Sequence, residues 1–326
     1  MKRFNGVLWA SFLSVAAMSF AAVMARPPIA QAAVPQLSDT NSSQLAASGC
    51  GGNHQLNDII QACTKIINLP DAPSTDRAMA YAIRGLAYAQ ANNIALARDD
   101  LKHAEDIKPS SSLDVMIGMI DINTSNSEEA ITYLTKVVDA GAANALIFRY
   151  RGEAYENNAQ YDEAIKDFNT ALQLDPKLFG AINDRGAAYA KQGNLDAALA
   201  DFKSILAVTG GSDPVVLLNI CGVDLKKGNI EEGTHYCDQA NKAAETNFFV
   251  QGGLGGTYYN AGQYKKALEY LDKAIALNPR DARSLYLRGV VQAKLGNPDA
   301  ASKDKNAAAL IEPDIAEFEA KNGVKE

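Results

Sequence analysis

Three stretches of the chain carry the same residue types at the same offsets: AIRGLAYAQANNIALARDDLKHAEDIKP, RYRGEAYENNAQYDEAIKDFNTALQLDP and NDRGAAYAKQGNLDAALADFKSILAVTG. Each has Arg-Gly, then a Tyr three residues after the Gly. An Ala follows the Gly by twelve residues, and a large apolar residue comes four later. Gly152 and Gly186 are 34 residues apart, and the pattern returns at that period along the chain. A period of this length means repeated supersecondary units, none of which buries its apolar face alone. Small residues at the Gly and Ala offsets let two antiparallel helices approach closely. The Tyr and Phe or Leu offsets fill the space on either side, and a Pro ends several units because it cannot continue a helix. Aromatic residues are only 7 % with one Trp, which suits small-residue helix packing better than a β-sandwich.

The clearest anchors are Gly85, Tyr88, Ala97, Leu101, Ala104 and Pro109, with the matching set Gly152, Tyr155, Ala164, Phe168, Ala171 and Pro176. Gly186, Tyr189, Ala198 and Phe202 follow, then Gly255, Tyr258, Ala267, Leu271, Ala274 and Pro279. This pattern resembles the tetratricopeptide repeat, a hairpin of two antiparallel helices. The resemblance implies an all-α fold, a right-handed superhelical α-solenoid of stacked hairpins. Seven units are expected, at 78–111, 111–144, 145–178, 179–212, 214–247, 248–281 and 282–315. The unit at 111–144 keeps Gly118, Ala130 and Leu134; the last keeps Gly289, Ala301, Ala308 and Pro313 but has Lys305 at the bulky offset. Residues 50–77 read as an N-terminal capping half-repeat with a helix over 56–68, and 316–326 as a C-terminal capping helix and tail, with Ile315 and Phe318 apolar.

The same resemblance implies that the first helix of each unit lines a concave groove where a partner lies. Carried over residue by residue, that groove takes Leu86, then Met119 and Ile122, then Arg149, Glu153 and Glu156. Asn183, Leu218, Leu225, Tyr259, Tyr286 and Val290 continue it. The stripe is mostly small or apolar with one charged band in the middle, which suits a peptide or helical segment. It lacks the basic set with which related domains clamp a C-terminal carboxylate. The alternative is that a tight superhelix or self-association buries it.

Comparing the seven copies with one another gives a further expectation. One residue before the small Gly-type position, and sixteen residues further on, stand Arg84 and Asp100, Arg151 and Asp167, Arg185 and Asp201, and Arg288 and Asp304. The other three units have Ile117 and Tyr133, Ile220 and Tyr236, and Leu254 and Tyr270. Arg always accompanies Asp, and an aliphatic always accompanies Tyr. The two kinds alternate irregularly, so the pairing lies inside each hairpin. It is expected to be an ion pair exchangeable for an apolar contact, part of the scaffold.

Four cysteines remain, an even number. In NICGVDLKKGNIEEGTHYCDQ, Cys221 and Cys237 each lie eight residues from Asn229 in the turn, at the facing small and bulky offsets. His235 is two residues from Cys237, about 200° around a helix, and points away from it. That geometry favours a disulfide over a shared metal site. Cys50 and Cys63 invite the same reading at the N-terminal cap, one of three possible connectivities. A metal- or thiol-redox-active protein built on these cysteines is the alternative function.

The first residues read as an export signal: Lys2 and Arg3, an uncharged and mostly apolar run over 6–25, and Ala30-Gln31-Ala32 as the cleavage pattern. A signal peptide at 1–32 and a flexible linker at 33–49 are therefore expected, in a periplasmic protein. An uncleaved signal would instead anchor it in the inner membrane, its one expected membrane contact. The formal charge is −7 with no basic run, which disfavours nucleic acid as a partner. No phosphate loop, nucleophile elbow or H-E-x-x-H is present. GGLGGTYYNAG is glycine-rich but falls in a first helix rather than after a strand, so it reads as close helix packing. His54, His103 and His235 lie in different units. No catalytic site, cofactor or metal is expected. The expected function is a non-enzymatic protein-protein interaction scaffold of the bacterial cell envelope.

Overall fold

The computed structural model describes residues 49–51, 55–124, 126–321 and 323–325. The predicted signal at 1–32, the linker up to 48 and His54 lie outside the described residues. Within them are sixteen α-helices and no strand. The fold is an all-α helical repeat solenoid. The chain divides into two compact units between Gln160 and Tyr161.

The unit ending at Gln160 contains α1 (Leu56–Asn68), α2 (Ser74–Gln90), α3 (Ile94–Ile107), α4 (Ser111–Asn123), α5 (Ser127–Asp139) and α6 (Ala145–Asn157). Helix α1 packs on α2; α2 with α3 and α4 with α5 form hairpins; α6 lies against α5 and α4. Helix α2 begins four residues before the expected unit boundary at 78, directly after Pro73. Proline fixes an extended entry into a helix but cannot sit in its interior.

The unit from Tyr161 contains α7 (Tyr161–Leu174), α8 (Phe179–Gln192), α9 (Leu195–Val208), α10 (Pro214–Lys227), α11 (Ile230–Ala243), α12 (Phe248–Asn260), α13 (Tyr264–Leu277), α14 (Ala282–Lys294), α15 (Pro298–Ile311) and α16 (Ile315–Lys321). Helix α7 packs on α8, four hairpins follow, and α16 closes against α14 and α15. The two helices of the repeat expected at 145–178, α6 and α7, thus belong to different units.

Recurring short polar residues start the first helices. Ser110 Oγ accepts from the backbone N–H of Leu113. Asn144 Oδ1 accepts from Leu146 and Ile147, Asp213 Oδ1 from Val215 and Val216, and Asn247 Oδ1 from Phe249 and Val250. Each satisfies N–H groups that a helix start leaves without an intrahelical partner. Inside a hairpin the glycine is a matter of space. A Cβ on Gly186 would stand 2.8 Å from the Phe202 ring, and one on Gly255 2.6 Å from Leu271 Cγ. In the last hairpin the stem of Lys305 fills the bulky position, 2.9 Å from where a Gly289 Cβ would be. Its ammonium meets the Tyr286 ring 5.7 Å from the centroid.

Candidate interaction surface

At Arg84, Arg185 and Arg288 the Arg and Asp positions form forked ion pairs. Arg84 Nε and Nη2 donate to the Asp100 carboxylate at 2.7 and 2.8 Å. Arg185 does the same to Asp201 at 2.9 and 2.7 Å, and Arg288 to Asp304 at 2.6 and 2.7 Å. Asp100, Asp201 and Asp304 are all buried. Beside these carboxylates the guanidinium pKa values rise, chiefly through the hydrogen bond. Where the offsets are aliphatic and Tyr, the two belong to one apolar cluster: Ile117 with Tyr133, Ile220 with Tyr236, and Leu254 with Tyr270.

The third guanidinium nitrogen reaches the preceding hairpin, which the comparison of copies did not anticipate. Arg185 Nη1 donates to Asn169 Oδ1 at 2.6 Å, Arg288 Nη1 to Asp272 Oδ1 at 2.7 Å, and Arg151 Nη1 to Thr135 Oγ1 at 3.4 Å. Arg84 Nη1 donates to Thr64 Oγ1 at 2.8 Å. One planar fork therefore ties two helices of its own hairpin and a third from its neighbour.

Cys221 and Cys237 stand at disulfide distance, with Cα atoms 5.2 Å apart, and so do Cys50 and Cys63 at 4.7 Å. All four are buried. His235 shares a hydrogen bond with Gln239 at 2.7 Å on the exposed side of α11. His103 is exposed, its ring 5.1 Å from that of Tyr81. GGLGGTYYNAG forms most of α12 and the turn after it. A Cβ on Gly252 would lie 2.7 Å from Ser284 Oγ of α14, so the glycines serve the close approach of these two first helices.

Most of the positions assigned to the groove are not presented to solvent as an open stripe. In the first unit, Met119 and Ile122 are buried against Ile147, Tyr150 and Ala154 of α6. Glu153 and Glu156 are buried as well. Leu86 is partly exposed, and so is Arg149, whose guanidinium lies 6.0 Å from the Tyr150 ring centroid. In the second unit, Leu218 and Leu225 are buried in one cluster with residues of α12. Asn183 stays partly exposed and accepts a hydrogen bond from Asn219 at 3.0 Å. The cause is side-by-side contact: neighbouring first helices lie close enough to cover each other's apolar positions.

Tyr259, Tyr286 and Val290 are buried for a second reason. They share a cluster with Ile315 of α16 and with Val324 beyond it. Gly323 turns the chain with φ 86° after α16, and the next residues run back over α12. The Tyr259 hydroxyl donates to the Lys325 carbonyl at 2.9 Å and accepts from the Lys325 N–H at 3.0 Å. Burial pushes the Tyr259 hydroxyl pKa up. Below, Arg283 of α14 meets Glu319 of α16 at 2.9 Å, with Glu319 fully buried. Desolvation raises the Glu319, Asp281 and Glu312 carboxyls and lowers the Arg283 guanidinium. The apolar spacing of Ile315 and Phe318 marked α16 in the sequence. The run over Gly323, Val324 and Lys325 carried no such signal, because three residues show no period.

Among the described residues, no group of His, Cys, Asp and Glu is arranged to hold a metal ion. No described helix is long and apolar enough to cross a membrane.

Sequence models of two families match the chain: one described as "Tetratricopeptide repeat" at residues 253–317, and one as "TPR repeat" at 160–193. A comparison with curated protein sequences found no match. Among solved structures, the chain is similar to a tetratricopeptide repeat protein from Parabacteroides merdae, with TM-score 0.61 and 20 % identity over 77 % of this chain and 99 % of that one. It is also similar to yeast Tom70, with TM-score 0.55 and 17 % identity over 82 % of this chain and 60 % of that one. The Cut9-Hcn1 hetero-tetramer of the APC/C gives TM-score 0.50 at 17 % identity, over 82 % and 52 %. At these identities the likeness is one of fold.

Proposed function

From the premise that this chain belongs to the tetratricopeptide repeat family, we propose that it is a non-catalytic scaffold of the bacterial cell envelope. It holds a peptide or helical segment of a partner protein against its first helices. The observation that carries this reading is the construction of those helices. Second helices back them, through glycine contacts at positions such as Gly85, Gly186 and Gly255 and through Arg–Asp forks at Arg84, Arg185 and Arg288, while Leu86, Arg149 and Asn183 keep part of their surface in solvent. A surface pre-organised in this way loses little entropy when a partner binds. The buried cysteine pairs support a stapling role for those residues over the thiol-redox alternative. Periplasmic location is the reading of the first residues, and the formal charge of −7 fits protein partners better than nucleic acid.

The test is site-specific photo-crosslinking in intact cells of the source bacterium. A crosslinker at Asn183 is expected to give a discrete protein adduct, and one at the exposed Glu163 on the second helix α7 to give none. Equal adducts at both positions, or none, would remove the first-helix surface as the binding face.

A further inference from the structure

We propose that the cleft between α12 and α14 is a second, more specific peptide site, filled in this structure by the chain's own residues 315–321 and 323–325. The ligand it fits is a short amphipathic helix followed by a turn of chain. It carries two large apolar residues three apart, a carboxylate or amide next, and a β-branched residue five positions further on. This deepens the reading of the protein as a partner-binding scaffold and rests on it.

The argument begins with Tyr259. Its hydroxyl engages both the N–H and the C=O of Lys325, at 3.0 and 2.9 Å. That contact reads the backbone and ignores the side chain, so another residue in the same conformation satisfies it. One position earlier, Val324 is 7 % exposed and enters the cluster of Tyr259, Tyr286 and Val290. These are first-helix positions, where this fold presents its binding surface. On the helical part, Ile315 and Phe318 face the same cluster and Glu319 meets Arg283 at 2.9 Å. Every class of contact that recognises a peptide is present: apolar anchors, one charge pair and backbone hydrogen bonds.

Two features weaken the hold on the occupant. Helix α16 has seven residues, too few to persist alone in water. Its charge seat is also overfilled: Asp281, Glu312 and Glu319 surround one arginine, Arg283. A partner offering an amide in place of Glu319 would meet less repulsion there at neutral pH. Ligand and occupant therefore compete for one cleft, and the apparent affinity for a partner is reduced by the fraction of chains in which the cleft is closed.

The experiment uses the full chain and a fluorescein-labelled synthetic peptide of residues 312–325. Val324→Asp puts a charge into the buried end of the covering segment and opens it, leaving the hairpins untouched. Anisotropy should show the peptide binding the Val324→Asp chain at least tenfold more tightly than the natural chain. Adding Tyr259→Phe, which keeps the ring and loses both backbone bonds, should weaken that binding about fivefold. Hydrogen exchange at the Lys325 amide should be fast in Val324→Asp and slow in the natural chain. Equal peptide binding to both chains, no binding to the opened chain, or a Lys325 amide still protected in it would each overturn the proposal. The crosslink at Asn183 is the separate readout: its persistence after such a failure leaves the scaffold reading standing, and its absence removes that reading independently.

Discussion

At Arg185 one guanidinium does the work of several contacts. It donates to both oxygens of Asp201 and to Asn169 Oδ1. Asp201 is 8 % exposed, so removing the arginine leaves a desolvated carboxylate without its partner. Arg185→Ile is expected to cost about 2–4 kcal/mol of stability in urea denaturation, most of it from that stranded charge. The double variant Arg185→Ile with Asp201→Tyr recreates the aliphatic and Tyr pair found at Ile220 and Tyr236, and should recover most of the loss. A double variant less stable than the single one would show that the two pair types are not exchangeable. The Arg–Asp association is visible in the sequence because repeats act as internal replicas. The third acceptor is not. Thr135, Asn169 and Asp272 occupy the same offset before an Arg repeat, but Lys102, Lys203 and Asp238 occupy it before the aliphatic ones. Asp238 breaks the rule, and a polar residue on a helix surface has many other uses.

The hairpin of α10 and α11 departs most from the repeat pattern, with cysteines at the small and bulky offsets and Gly233 where Ala is usual. A Cβ on Gly233 would meet the backbone N of Leu225 at 2.9 Å, so the two helices are closer here than an alanine allows. The Cys221 and Cys237 pair closes a loop of 16 residues, worth roughly 3 kcal/mol on the chain-entropy account. Replacing both cysteines with Ala should lower stability by about that amount and speed hydrogen exchange first in α10 and α11. Unchanged stability and exchange would mean the pair is not formed in the native protein. Both side chains are fully buried, so dithiothreitol should act on them only as the hairpin opens. Placement of helices was readable from the period; their ends were not. The start of α2 at Ser74 depends on Pro73 and not on the repeat, since register locates contacts between helices and each terminus follows its own local chemistry.

Across the molecule, burial raises the carboxyl pKa of Asp114 and Asp121 in the first unit and of Asp281, Glu312 and Glu319 in the second. Asp121 rises even though Arg98 pairs with it, because desolvation outweighs the pair. A carboxyl raised in the folded state binds its proton more tightly there than in the unfolded chain. Its contribution is therefore fully present below the ordinary carboxylate range and is lost as pH climbs through the raised value. Stability against urea should accordingly fall as pH rises above the ordinary carboxylate range, and Glu319→Gln should flatten part of that slope. A rise in stability over the same interval would contradict the burial of these groups. Sequence by itself determined the all-α repeat and the spacing of the anchors, because these depend on offsets along one period that the chain states several times over. Tertiary structure alone decided which first-helix positions stay open, where the third arm of each arginine goes, and that residues 323–325 return over Tyr259. Those outcomes depend on how closely neighbouring helices approach and on a turn that occurs once. A feature that occurs once leaves no period to read.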